Sequence, residues 1–135
     1  MEKLDMVIEY IGLAEKVGGY TIFFPDFPGC GSAGTTLAKA RKNAKEGLIA
    51  HIELMIESGE SLPKPTSLDN IVKLPDAKGC IPLIIPIIAP SGKSQRINIT
   101  LDKALLDAVD AEAHSQHKTR SAFFAEAAQR FLGAF

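Results

Sequence analysis

The stretch Arg96-Ile97-Asn98-Ile99-Thr100-Leu101 alternates polar and apolar residues, and the fold of the C-terminal part of the chain depends on it. Because side chains alternate across a β-strand, Ile97, Ile99 and Leu101 share one face and the polar residues share the other. The polar row, made of Arg96, Asn98 and Thr100, carries donors and acceptors that can contact base edges. A two-stranded ribbon also fits the DNA major groove. The alternation therefore predicts a DNA-contacting strand.

Two amphipathic helices are predicted directly after this strand. Asp102 opens the first helix, which should end near His114, and its apolar face consists of Leu105, Leu106, Val109 and Ala113. Thr119 supplies an N-cap hydroxyl for the second helix, whose broad apolar face consists of Phe123, Phe124, Ala127, Ala128, Phe131 and Leu132. A unit of about 40 residues buries too little surface to fold alone, which favours dimerisation.

Residues 94–132 resemble the ribbon-helix-helix fold of the MetJ/Arc-type repressors in their strand, helix, helix order. The resemblance implies an intertwined dimer whose paired strands enter the major groove, with the start of each second helix on DNA phosphate. It assigns base reading to Arg96, Asn98 and Thr100, and phosphate binding to Thr119, Arg120 and Ser121. Free backbone N–H groups and the helix dipole favour anions at that helix start. The alternative is an ordinary half-exposed hairpin strand.

Composition limits how the chain can attract DNA. It has 135 residues, a length that fits one domain or two small ones, and its formal net charge is −1. Electrostatic attraction must therefore come from local clusters, Lys93 with Arg96 and Lys118 with Arg120. DNA binding should then depend strongly on salt concentration.

The remaining composition signals concern location and domain organisation. The sequence contains no run of about 18 consecutive apolar residues that could span a membrane. Residues 1–5 lack a signal-peptide pattern. We therefore expect a cytoplasmic protein without a membrane partner. Cys30 and Cys80 are expected to be reduced, buried thiols. The small, turn-forming residues Ala89-Pro90-Ser91-Gly92 predict a linker, which divides the chain into domains 1–90 and 91–135.

The N-terminal domain should contain a β-β-β-α-β series. Strands are expected over residues 4–11 and 19–24, joined by a turn containing Gly12 and Gly18, and a third strand over residues 30–34. A helix capped by Thr35 or Thr36 should follow and close at Gly59, with an apolar stripe of Leu37, Ala40, Ala44, Leu48, Ile52 and Met55 or Ile56.

The last strand of this domain is predicted over residues 80–90. Pro82, Pro86 and Pro90 lie at even spacing, so they remove backbone donors from one side only. This spacing predicts an edge strand that resists pairing with another chain. An irregular extended segment is the alternative.

The segment Tyr20-Thr21-Ile22-Phe23-Phe24-Pro25-Asp26-Phe27-Pro28-Gly29-Cys30, together with Gly34-Thr35-Thr36-Leu37-Ala38-Lys39-Ala40 and Asn43-Ala44 with Glu46, resembles the HicB antitoxin family. The resemblance implies an α+β chain: a partial ribonuclease H-like domain joined to a ribbon-helix-helix domain. It implies direct binding of a small mRNA-cleaving HicA-type toxin and repression of the toxin–antitoxin operon by a homodimer on operator DNA. It leaves the toxin-binding residues unknown, and it leaves open whether dimers pair into tetramers. The three prolines of residues 80–90 depart from the family's last strand.

An enzymatic alternative would need clustered carboxylates that hold two metal ions. The acids available are scattered along the chain: Asp5, Glu9, Asp26, Glu46, Glu53 and Glu57. His114 and His117 are three residues apart but lack a nearby cysteine, and His51 lies beside an apolar stripe. We therefore expect no catalytic residue, no metal site and no cofactor.

Three hypotheses follow. The first is an antitoxin that also represses its own operon. The second is a ribbon-helix-helix repressor whose N-terminal domain senses a small ligand, and the third is a vestigial ribonuclease H-like nuclease. The first accounts for both halves of the sequence, and it predicts that residues 1–90 alone neutralise the toxin.

Overall fold

The computed structural model describes residues 6–134 of the chain and divides into two units, Met1–Gly92 and Lys93–Phe135. The N-terminal unit contains strands β1 (Ile8–Lys16), β2 (Tyr20–Phe23) and β3 (Gly31–Gly34), followed by helix α1 (Leu37–Glu57). The short helix α2 (Leu68–Ile71), a 3₁₀ turn (Pro75–Ala77) and strand β4 (Ile81–Ile87) complete it. The expected β-β-β-α-β order is therefore present, with two short helical turns added before the last strand.

The strands form one antiparallel sheet in the order β3-β2-β1-β4. Lys16 pairs with Tyr20 across a turn in which Gly18 has φ +92°, a backbone conformation that glycine adopts without strain. On the other side of β1, Ile8 pairs with Ile87 and Ala14 with Ile81.

The first strand differs from the sequence prediction. Residues 4–5 lie outside the described residues, and β1 continues through Gly12 to Lys16 instead of turning at Gly12. Gly12 lies buried in the strand, where an added Cβ would lie 2.8 Å from Ile22 Cγ2. Close packing, and not a turn, explains this glycine.

Helix α1 covers one face of the sheet, as its stripe predicted. Thr36 is the N-cap, and its side chain accepts a hydrogen bond from Lys39 N at 3.2 Å. Gly59 follows the helix with φ +74°, while Glu60 N donates to the Met55 carbonyl at 2.9 Å, an arrangement typical of a Schellman end. The shared core contains Ala40, Ala44, Leu48 and Ile52 from the helix and Tyr10, Ala14, Ile22, Phe24, Ile85 and Ile87 from the sheet.

The second face of the sheet is also covered, which the sequence interpretation missed. Ile11 and Leu13 of β1 pack with Ile71 of α2 and Ala77 of the 3₁₀ turn in a separate buried cluster. The signal in the sequence was the run of residues 10–14, which contains no charged residue, because a strand buried on both faces shows no polar alternation.

Strand β4 is an edge strand, as predicted, and it spans Ile81–Ile87 where residues 80–90 were expected. Its proline positions, Pro82 and Pro86, pair with Leu13 and Glu9 in the antiparallel register. Arg41 Nη2 of α1 donates to the Ile84 carbonyl at 3.2 Å. Two missing donors and one occupied carbonyl therefore make this edge a poor template for a further strand.

The C-terminal unit contains helices α3 (Lys103–Ser115) and α4 (Arg120–Phe131). Residues 96–101, which were predicted to form a strand, do not form one in this single chain. The physical reason is that a strand needs a hydrogen-bonded neighbour, and these residues have none among those that the structure describes.

Candidate functional site

The segment before α3 presents all of its predicted base-reading residues to solvent. Arg96, Asn98 and Thr100 are exposed. Ile97 and Ile99, on the opposite face of the predicted strand, are 72% and 57% exposed. Two large apolar side chains exposed in so short a stretch are typical of a surface that needs a partner.

The two C-terminal helices bury little of their apolar surface within one chain. Val109 and Ala113 of α3 are buried, whereas α4 has no buried residue. Phe123 and Phe124 are half-buried, and their rings contact edge-to-face with centroids 6.4 Å apart. Phe131 is 86% exposed. The broad apolar face predicted for α4 is therefore unsatisfied in the single chain.

The start of α4 brings together the three residues predicted to bind phosphate. Thr119 is the N-cap, and its Oγ1 accepts a hydrogen bond from Ala122 N at 3.1 Å. The backbone N–H groups of Arg120 and Ser121 donate no hydrogen bond to any described residue. This is expected, because the first N–H groups of a helix have no partner within the helix. Thr119, Arg120 and Ser121 are all exposed, so two amide donors face outward beside a guanidinium group.

Arg120 is held by a carboxylate of α3, which the sequence interpretation did not anticipate. Its Nε donates to Asp110 Oδ1 at 3.0 Å and its Nη2 to Asp110 Oδ2 at 2.9 Å, a two-pronged ion pair. The hydrogen bonds from Arg120 lower the pKa of the Asp110 carboxyl, and the same pair raises the pKa of Arg120. No local pattern in the sequence reveals this pair, because Asp110 lies ten residues before Arg120, across a turn.

Lys118, the other basic residue beside α4, is also paired. Its Nζ donates to Glu126, which accepts a further hydrogen bond from Arg130 Nη2 at 3.0 Å. The bond from Lys118 is the main reason that the pKa of Glu126 is lowered. The predicted Lys118 and Arg120 cluster is present, but both charges are balanced by carboxylates of the same unit.

The connection between α3 and α4 contains a strained residue. His117 has φ +55°, and Lys118 N donates to the Ala113 carbonyl at 2.8 Å, so His117 occupies the left-handed position that usually belongs to glycine. Helix α3 ends at Ser115, one residue beyond the expected end at His114. His114 and His117 are both exposed, as expected for solvated side chains.

The N-terminal unit contains a cleft of about 330 Å³ between the proline-rich bend and the end of α1, lined by Asp26, Phe27, Pro28, His51, Leu54, Met55, Ser58 and Glu60. At its rim, Asp26 Oδ2 accepts from Thr66 N at 2.9 Å and Asp26 Oδ1 from Thr66 Oγ1 at 2.5 Å. Tyr10 OH donates to the Pro63 carbonyl at 2.7 Å. The aspartate of the bend therefore fixes the loop that follows α1.

The carboxylates considered for nuclease chemistry lie apart. Glu9, Glu46, Glu53 and Glu57 are exposed, Asp26 is bonded to Thr66, and Asp5 lies outside the described residues. Within residues 6–134, no three His, Cys, Asp or Glu side chains are grouped to hold a metal ion. His51 is half-buried, and its ring contacts that of Phe27 edge-to-face with centroids 5.8 Å apart. Across the same residues, no helix is both long and apolar enough to span a membrane.

Cys30 and Cys80 are free thiols, as expected; Cys30 is buried as predicted, whereas Cys80 is only half-buried. Burial raises the pKa of each thiol, and the negative charges of Glu15 and Asp76 contribute at Cys80. Both side chains are therefore protonated at neutral pH.

Residues 7–128 match a family model described as HicB-like antitoxin of bacterial toxin–antitoxin systems. An uncharacterised 14.9 kDa protein from the rep–hol intergenic region of Haemophilus phage HP1 is 40% identical over 126 residues, which cover 89% of this chain and 95% of that protein.

Solved structures agree with the family match. The crystal structure of the Burkholderia pseudomallei antitoxin HicB is 32% identical, covers 93% of this chain and 97% of its own, and has a TM-score of 0.55. A chain of the HicA3–HicB3 toxin–antitoxin complex is 34% identical, with a TM-score of 0.51, and the match covers 57% of this chain and 94% of that one.

Proposed function

Because the chain belongs to the HicB-like antitoxin family of bacterial toxin–antitoxin systems, we propose that it neutralises a small mRNA-cleaving toxin of the HicA type by binding it directly. The observation that carries the proposal is the family match over residues 7–128, which spans nearly the whole chain. The similarity to a chain of the HicA3–HicB3 complex supports the same partner class.

The N-terminal unit is the proposed toxin-binding part. It has its own core on both faces of the sheet, and it carries an open cleft beside the end of α1. An inhibitor that acts by covering a toxin surface needs such a rigid body and no catalytic group.

The test is co-expression of this chain with the neighbouring reading frame. We expect relief of growth arrest and recovery of a stable complex. The N-terminal unit, residues 1–92, should protect by itself when it is folded by circular dichroism, and residues 93–135 should not protect. A folded N-terminal unit that neither binds nor protects would contradict the proposal.

We also propose that the C-terminal unit dimerises as a ribbon-helix-helix domain and represses its own operon. The exposed Ile97 and Ile99 and the unburied α4 face support dimerisation, since a second copy would supply both a strand partner and apolar surface. Arg96, Asn98 and Thr100 would then read bases, and the start of α4 would bind phosphate.

Substitution of Arg96 tests the base-reading assignment. Arg96 is exposed and has no ion pair among the described residues. Arg96→Ala should cost about 1 to 3 kcal/mol of binding to the DNA upstream of the reading frame and relax sequence preference. Lys103→Ala removes the same charge from α3 and is the control. Equal losses from both variants on upstream and on unrelated DNA would refute base reading.

A further inference from the structure

The basic side chains of the C-terminal unit are mostly paired before any ligand arrives. Residues 93–135 contain six Lys or Arg residues and five Asp or Glu residues. Among the described residues, at least four of these basic side chains form ion pairs: Lys103 with Asp107, Lys118 and Arg130 with Glu126, and Arg120 with Asp110.

The Arg120–Asp110 pair differs from the others in geometry and position. It uses two hydrogen bonds, at 3.0 and 2.9 Å, and so occupies two of the five guanidinium donors in a fixed orientation. It also joins α3 to the first residue of α4, beside the two outward-facing amides of Arg120 and Ser121. Asp110 thus places a full negative charge next to the proposed phosphate site.

That negative charge opposes phosphate binding in two ways. An arginine already neutralised by a carboxylate is less able to replace a cation condensed on a DNA phosphate, so its contribution to salt-dependent binding falls. A phosphate group that approaches Arg120 is also repelled by the negative charge of the Asp110 carboxylate, because that side chain is 42% exposed and lies at the surface.

We propose that Asp110 acts as an internal competitor for Arg120, which lowers the affinity of the C-terminal unit for the DNA backbone and leaves recognition more dependent on base contacts. The inference rests on the proposed DNA-binding function. It assigns to Asp110 a role in tuning affinity, because weaker sequence-independent attraction lowers binding to all sequences alike and leaves base contacts a larger share of the binding free energy.

The experiment compares two substitutions with the same charge change on the same helix, made in the full chain. Asp110→Asn keeps a side-chain oxygen that accepts a bond from Arg120 but removes the negative charge. Asp107→Asn is the matched control, because Asp107 is also exposed and also paired, with Lys103 at 2.9 Å. Each protein is titrated with a mixed-sequence duplex and with the DNA upstream of the reading frame, over a range of salt concentrations.

We expect Asp110→Asn to bind the mixed-sequence duplex roughly three- to tenfold more tightly than wild type. The salt slope should steepen by about one per chain. Asp107→Asn should change both values by less. Adding Arg120→Gln should abolish the gain in the Asp110→Asn background but cost little in the wild type, because Arg120 is released only when Asp110 is uncharged.

The outcomes separate this inference from the function beneath it. If wild type binds the upstream DNA but Asp110→Asn binds no more tightly than Asp107→Asn, the competitor role is wrong and DNA binding stands. Weaker binding by a folded Asp110→Asn protein would show instead that Asp110 positions Arg120 for phosphate, which also overturns the inference. If no folded variant binds either duplex, the proposed DNA-binding function fails as well.

Discussion

Gly34 and Gly47 occupy very different environments in the N-terminal unit. A Cβ added at Gly34 would lie 2.4 Å from Ala40 N and 2.8 Å from Ala40 Cα, which are backbone atoms of α1 that cannot move aside. A Cβ added at Gly47, in the middle of α1, meets nothing within 4 Å. The first glycine allows β3 and α1 to pack closely, whereas the second only weakens the helix.

Alanine substitutions at these glycines should have opposite effects on the free energy of unfolding. Gly34→Ala should lower it by about 1 to 3 kcal/mol through overpacking. Gly47→Ala should raise it by about 1 kcal/mol through helix propensity. Denaturant unfolding of both variants measures the two effects, and a neutral Gly34→Ala variant would contradict the close packing.

The left-handed turn at His117 gives a second prediction at the residue scale. A non-glycine residue with φ +55° is strained, so His117→Gly should stabilise the C-terminal unit by about 0.5 to 1 kcal/mol. His114→Gly is the control, because His114 lies inside α3 and should cost about 1 kcal/mol there. Hydrogen exchange of the α3 amides measures both variants, and equal loss of protection in the two would refute the strain.

At the scale of elements, local chemistry predicted the helices and their ends more accurately than the strands. Thr36, Asp102 and Thr119 are the N-caps of α1, α3 and α4. Asp102 and Thr119 were predicted from the type and position of one side chain, and Thr36 was one of two candidates beside Thr35. Strand bounds were less accurate, because whether Gly12 ends or continues a strand depends on the packing of Ile22 against it.

The ion pairs of α4 make the stability of the C-terminal unit dependent on pH. Lys118 lowers the pKa of Glu126 below its ordinary value of 4.5, so the folded state holds this proton more weakly than the unfolded state does. The stabilisation is therefore fully present above pH 4.5 and is lost as the pH falls through the lower folded-state pKa.

Helix content followed from pH 6 down to pH 3 should therefore decrease for wild type on the acid side of about 4.5. In Glu126→Gln the same loss should be smaller, because the titrating group is absent. Lys103→Ala, which removes an exposed pair elsewhere, should leave the acid transition unchanged. An identical acid transition in wild type and Glu126→Gln would show that another group is responsible.

At the scale of the whole molecule, the two units differ in how much of their apolar surface is buried within a single chain. The sheet of the N-terminal unit is covered on both faces, whereas the C-terminal unit buries Val109, Ala113 and Ala134 and exposes Ile97, Ile99 and Phe131. The second unit therefore leaves large apolar side chains uncovered in a single chain, which supports the proposed dimer.

Association can be tested at Ile99, which is 57% exposed in the single chain. If a second copy covers it, Ile99→Lys should lose the burial of an isoleucine side chain, about 1.5 to 3 kcal/mol per chain, and shift the protein to monomer. Val17→Lys is the matched control, because Val17 lies in the hairpin turn and is also 57% exposed. Analytical ultracentrifugation measures the change. A wild-type monomer at working concentration, or equal effects of the two variants, would refute the dimer.

The sequence by itself determined the features that depend on neighbouring residues: the apolar stripe of α1, its end at Gly59, the caps of α3 and α4, and the proline spacing that makes β4 an edge. These follow from helical and strand periods and from hydrogen bonds that reach only a few residues. Only the tertiary structure decided that β1 runs through Gly12, that residues 68–77 cover the second face of the sheet, and that Asp110 holds Arg120. Each of these depends on contacts between separate elements, which the packing of whole elements fixes and which local periods and hydrogen bonds do not specify.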